Sequence, residues 1–201
     1  MKHFLICLLA LFSLGAQAVT LDSLQQRFSE QPVLRAEFIQ QRSVSGMDQK
    51  LNSSGNLLIS REEGLWWQQQ KPFALSLLLT NNRMVQTMAG QAPQVVTAQN
   101  NPQMFQFNGL LSALFHADHR ALAQNFALDF SDKGQGKWVL ILKPTTSPLN
   151  KLFKTITLDG QDFLNHINID DMQGDSTQIQ FFNQRTEPKT LTDAEKQHFS
   201  S

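Results

Sequence analysis

The chain has 201 residues, 41% hydrophobic and 17% charged, with 17 basic and 17 acidic side chains and a sequence pI near 7.0. That describes one ordinary globular domain, and the charge balance leaves no long-range field to gather nucleic acid or an anionic membrane. The aromatic residues are 15 Phe and 3 Trp with no Tyr, so almost all the aromatic mass lacks a hydroxyl, which suits an apolar cavity as well as a core.

Lys2, the apolar run Phe4 to Leu14 broken only by Ser13, and Ala16-Gln17-Ala18 read as a secretory signal peptide cut after Ala18. A run of about eleven residues is too short for the roughly twenty that span a bilayer as a helix. Cys7, the single cysteine, lies inside this segment between Ile6 and Leu8, without the small residue expected before a lipid-modified cysteine. Residues 19–201 therefore form one cysteine-free domain, predicted to be periplasmic and to depend on burial and hydrogen bonding rather than disulfides. Asn52-Ser53-Ser54 is a chance sequon in that compartment.

Leu21, Leu24 and Phe28 behind Thr20 predict a short amphipathic helix, stopped by Pro32. From Val33 the period changes to two, with Leu34, Ala36 and Phe38 alternating against Arg35, Glu37 and Ile39. Strand-like runs recur at 55–61, 65–69, 73–80, 83–88 and 94–98, parted by turn residues. Leu110, Leu111, Leu114 and Phe115 then form a helical stripe, and Asp118 caps a second short helix through Leu122. Strands resume at 126–130, 138–143, 151–159, 163–170 and 177–185. About ten antiparallel strands in one domain are expected to close, or nearly close, into a barrel, because closure removes exposed edges.

Covalent chemistry finds little support. There is no Gly-x-Ser-x-Gly elbow, and the one thiol leaves with the signal peptide. His116 and His119 with Asp118 lack the further ligands of a zinc site. Asp170, Asp171 and Asp175 around Gly174 fail the calcium-loop spacing and read as turn residues. Gly134-x-Gly136 lies between two strands and reads as a hairpin. No enzyme activity, cofactor or metal is expected. In Trp66-Trp67, adjacent strand residues point to opposite faces, so one enters the interior while the other packs outside or under a helix. Leu75, Leu77 and Leu79 share a strand face with Phe73.

The order and spacing of three segments resemble the LolA-type carriers of outer-membrane lipoproteins. Arg35-Ala36-Glu37-Phe38-Ile39-Gln40-Gln41 is similar to that family's F-x-Q first strand. Ser54-Gly55-Asn56-Leu57-Leu58-Ile59-Ser60-Arg61 is similar to its G-x-L-x-x-x-R segment, and Leu65-Trp66-Trp67 stands where an aromatic-rich strand follows. The resemblance implies a mainly β fold, a half-open antiparallel barrel of about ten to eleven strands with short helices as a lid. It implies a monomer that binds acyl chains of a lipoprotein or other lipid, taking them from an inner-membrane transporter to an outer-membrane acceptor. Arg61 then corresponds to the family's lid latch. The expected acyl-chain trough is Leu65, Trp67, Leu75, Leu77 and Leu79, and the expected lid is Leu110, Leu111, Leu114 and Phe115.

The chain departs from the family pattern at three places. Glu62 replaces the proline that usually follows the arginine, and Asn81-Asn82-Arg83 replaces an Asp-Gly turn. The chain ends at His198-Phe199-Ser200-Ser201, about where the lipoprotein carriers begin a further strand and tail, a segment it is expected to lack. These departures favour a paralogue with another lipid cargo. The alternative is a lipid- or stress-sensing interaction domain of the same fold without a transport role.

Overall fold

The computed structural model describes residues 18–200, with only the backbone of residues 102–108. Met1 to Gln17, most of the expected signal peptide, lie outside the described residues.

Thr20 opens helix α1 (Leu21–Ser29) with a reciprocal cap. Its hydroxyl accepts the Ser23 amide at 3.1 Å, and its own amide donates to Ser23 Oγ at 2.9 Å. The helix turns Leu24 fully inward, and Pro32 removes the donor that a further turn would need.

Strands β1 (Val33–Ser43), β2 (Leu51–Ser60), β3 (Gly64–Lys71), β4 (Leu75–Leu79), β5 (Arg83–Met88) and β6 (Gln94–Thr97) form one meander. A second contains β7 (Phe126–Gly134), β8 (Lys137–Pro144), β9 (Phe153–Gly160), β10 (Leu164–Asp171) and β11 (Ser176–Arg185). Antiparallel pairing of β11 with β1 joins them into one eleven-stranded sheet, ordered β6-β5-β4-β3-β2-β1-β11-β10-β9-β8-β7. The half-open antiparallel barrel expected from the sequence is present. Its two free edges are β6 and β7, and the segment connecting them holds helices α2 (Pro102–Phe115), against β6, and α3 (His119–Ala123), against β7.

Register explains the core. Leu34, Ile59, Leu65, Leu79, Met84 and Val96 face one another in a row across β1 to β6. Ile179, Ile167, Leu158, Leu140 and Phe130 do the same across β11 to β7. Every strand thus contributes to one apolar inner face. The outer face carries a smaller cluster of Val33, Leu58, Leu78 and Val85, covered by Phe199 of helix α5 (Asp193–Phe199).

Three local expectations change. Phe73 does not share the β4 face. It is 53% exposed in the turn after Lys71-Pro72, where its carbonyl accepts from Gln69 Nε2 at 3.0 Å. A one-turn helix, α4 (Leu149–Leu152), precedes β9, which begins at Phe153 rather than Lys151. Helix α5 was not anticipated at all. Its start is a Thr192 capping box with Glu195, and its side chains close over the outer face of the sheet.

Candidate functional site

The inner face of the barrel, roofed by α1, α2 and α3, is the candidate site. Leu65 and Leu79 are buried in it, and Trp67 and Leu77 are half-buried and packed on the same cluster. Leu75 shares their face by register, opposite Gln69 and Met88, and is half-buried. Among the described residues it lies outside the packed cluster. From the roof, Leu114 is buried, and Leu110, Leu111 and Phe115 are half-buried against the same cluster.

The interior also uses residues that the reading of β3 and β4 missed. Phe38 stacks on Trp67 with centroids 3.8 Å apart, and Trp67 meets Phe181 edge-on at 6.1 Å. Phe181 in turn meets Phe115 of α2 at 5.9 Å, so an aromatic chain leads from the floor to the roof. Trp138 is fully buried beside Phe28 of α1 and donates its indole N–H to the Gln161 carbonyl at 3.0 Å. The available signal was the alternation Ala36/Phe38, Leu140/Leu142, Ile156/Leu158 and Ile179/Phe181, which marks inward positions as clearly as the leucines of β4.

Among the described residues, the roof leaves little room at the point where Phe115 enters the interior. Between Phe28, Leu34, Ile59, Phe115 and Phe181 the free volume is about 30 Å³, and the polar side chains on its wall are Gln31, His116 and Gln184. A groove of about 450 Å³ runs beside it, between α2–α3 and the adjoining ends of β3 and β4. Leu65 and Leu79 line it together with Asn81, Ser112, His116 and Asp118.

Polar contacts hold the roof. Arg61 is exposed and donates from Nη1 to the Ser29 carbonyl at 3.1 Å. It therefore grips the carbonyl end of α1, where a cation is favourably placed. The other cation of this end, Arg27, donates to the Gln161 carbonyl at 2.9 Å, and the Val19 amide donates to Asp132 at 3.2 Å. His119 Nε2 lies 3.4 Å from Asp22 Oδ1, linking α3 to α1. His116 instead faces the Ser112 carbonyl at 2.8 Å, so the two histidines have separate partners. Asp118 caps α3 by accepting the Ala121 amide at 3.1 Å. Between α2 and α3, Ala117 is buried at φ 50°, a left-handed conformation that costs a residue with a Cβ about 1–2 kcal/mol. Among the described residues no three metal-ligating side chains cluster.

On the opposite side of the sheet, Trp66 points outward and stacks on His198 of α5, with centroids 3.8 Å apart and planes at 9°. Arg35 beneath α5 is 6% exposed. It holds both Glu195 carboxylate oxygens at 2.6 and 2.8 Å and the carbonyls of Pro188 and Thr190. The hydrogen bonds from Arg35 lower the Glu195 carboxyl to about 2, against partial desolvation and with help from Thr192.

In comparisons with known proteins, the family described as "Outer membrane lipoprotein carrier protein LolA" matches residues 29–195. No curated protein matches the chain in sequence. Among solved structures, a LolA superfamily protein from Nitrosomonas europaea is similar at 12% identity and a TM-score of 0.48, over 88% of this chain and 97% of that one. A DUF1329 family protein from Desulfovibrio piger is similar at 11% identity and 0.46, over 87% and 93%. The Pseudomonas aeruginosa MucA/MucB complex contains a chain similar at 13% identity and 0.38, over 87% of this chain and 58% of that one.

Proposed function

The chain belongs to the LolA family of outer membrane lipoprotein carrier proteins, and from that premise we propose that it is a periplasmic carrier for acyl chains. It takes the chains of a lipoprotein, or of another lipid, under its helical roof from an inner-membrane donor and delivers them to an outer-membrane acceptor. The observation that carries this reading is an apolar inner face to which all eleven strands contribute and over which helices pack. The 30 Å³ space beside Phe115 is far below the roughly 300 Å³ of a ligand pocket, so cargo enters that part of the interior only when the roof moves. Exchange of roof side chains for acyl methylenes replaces one apolar burial by another. Each methylene shielded is worth about 0.8 kcal/mol, and no covalent step is required.

In this reading Arg61 latches α1, Leu65, Trp67, Leu77 and Leu79 form the trough with Leu75 at its far end, and Leu110, Leu111, Leu114 and Phe115 form the lid. Asn81, Ser112, His116 and Asp118 in the adjoining groove take the polar head of the cargo. Arg61→Leu is expected to leave the melting temperature nearly unchanged, because an exposed hydrogen bond contributes only about 1 kcal/mol. Uptake of a fluorescent fatty acid by the empty protein, followed by stopped flow, is expected to accelerate about fivefold, the kinetic equivalent of that loss. Unchanged uptake would remove the latch role.

The decisive experiment is native mass spectrometry of residues 19–201 purified without detergent from the envelope of the host, followed by lipid extraction. A discrete acylated mass is the expected result. A triacylated polypeptide would identify a lipoprotein cargo, whereas a glycolipid or polyene would identify a different one. A protein that is reproducibly empty and refuses added fatty acid would overturn the carrier reading in favour of an interaction domain.

A further inference from the structure

The antiparallel register puts the 44–50, 72–74 and 172–175 turns and α4 at one end of the sheet, and the Arg61 turn at the other. Seven large apolar side chains are exposed among the described residues. Five of them, Met47, Leu51, Phe73, Leu152 and Met172, belong to that first end, each 45–56% accessible. Single exposed apolar residues are ordinary on soluble proteins; five gathered on one rim are not.

Hydrogen bonds tie several of these tips together. The Met172 amide donates to the Leu152 carbonyl at 3.0 Å. Asp175, buried beneath, accepts from the Ser45 amide at 2.8 Å and from Arg42 at 2.9 Å, fastening the hairpin that carries Met47 to the turn that carries Met172. Exposed Lys50, Lys71, Lys143, Lys151 and Lys154 lie at or next to the same strand ends. Of the aspartates there, Asp48 and Asp170 are exposed, while Asp171 is half-buried and accepts the Gln173 and Asp175 amides. The neutral total charge thus conceals a locally basic, apolar-tipped end.

We propose that this rim docks the protein on an anionic phospholipid surface, with the apolar tips at headgroup depth and the lysines on the lipid phosphates. It rests on the carrier reading only for its purpose, since a carrier must visit membranes, and it assigns the contact to the end opposite the Arg61 turn. The test is co-sedimentation of residues 19–201 with vesicles of equal parts phosphatidylcholine and phosphatidylglycerol, and with phosphatidylcholine alone.

Binding to the anionic vesicles is expected to be stronger and to weaken with salt. The triple variant Met47→Ser, Leu152→Ser, Met172→Ser is expected to lose about tenfold or more in partitioning, and Lys50→Glu or Lys151→Glu about fivefold each. Fatty-acid binding in solution, measured on the same samples, reports both folding and the carrier reading. A chain that binds fatty acid but stays in the supernatant, or a fatty-acid-binding triple variant that sediments like the parent, overturns the rim. A chain that sediments but binds no fatty acid overturns the carrier reading alone. If the triple variant fails to fold, Met47→Ser alone, at a hairpin tip, must show a smaller loss in the same direction or the proposal fails.

Discussion

Phe115→Ala is expected to lower the stability of the empty protein and, at the same time, to tighten its binding of fatty acids. Phe115 hangs from α2 into the interior, edge-on to Phe181 and beside the residual 30 Å³ space. It is half-buried, so truncation should cost about 2–3 kcal/mol, below the 3–5 typical of a fully buried phenylalanine. In the carrier reading this loss falls on the closed form, because cargo displaces the side chain. Destabilising the closed form by about 2 kcal/mol raises apparent affinity up to about thirtyfold. Urea unfolding of the cargo-free protein together with a fatty-acid titration separates the alternatives. Weaker binding in the variant would mean that Phe115 lines the occupied trough instead of plugging the empty one.

The second large effect lies on the outer face. Arg35→Met is expected to detach α5 and to cost about 2–4 kcal/mol, because it leaves the Glu195 carboxylate without its partner in a partly desolvated place. The pH dependence gives the sign. The Glu195 pKa is lowered from 4.5 to about 2 on folding, so its contribution is complete above pH 4.5 and disappears as the pH falls towards 2. The shift corresponds to about 3 kcal/mol at most. The parent should therefore lose α5 docking progressively across that interval. Trp66 is the reporter, since its stacking on His198 ends when the helix leaves. In Arg35→Met the acid-dependent step should vanish, with Trp66 already solvent-exposed at pH 7. A variant that kept the same acid transition would show that another group controls it.

These two positions show unequal legibility in the sequence. Phe115 was readable as a lid residue because Leu110, Leu111, Leu114 and Phe115 repeat at helical spacing, and an apolar stripe must be covered whatever covers it. Arg35 was not readable as a buried anchor. It occupies an outward position of an alternating strand, which usually marks solvent, and its partner Glu195 lies 160 residues away. The start of α5 was visible as Thr192-x-x-Glu195, a capping box, but the short helix after it has no apolar stripe to announce it. Phe199 becomes a core residue only because β2, β4 and β5 present Leu58, Leu78 and Val85 to it. The trough was half legible for a related reason. The leucines of β4 stand out in composition, whereas Phe38, Trp138 and Phe181 become its floor only once β11 pairs with β1 and joins the two meanders.

The amino-acid sequence by itself determined the mainly β class, the positions of nearly all the strands and the helical roof, and, through the spacing around Phe38, Gly55 and Arg61, the family. All of these follow from short-range periodicity, turn chemistry and local motifs, which act within about ten residues. Tertiary structure alone decided that Phe115 of the roof packs against Phe181 in the interior and that Arg61 grips α1. It also decided that the outer face is closed by a C-terminal helix and that the exposed apolar tips share one rim. Those features depend on which strand ends meet in space, and antiparallel register across eleven strands carries that information where no local pattern can.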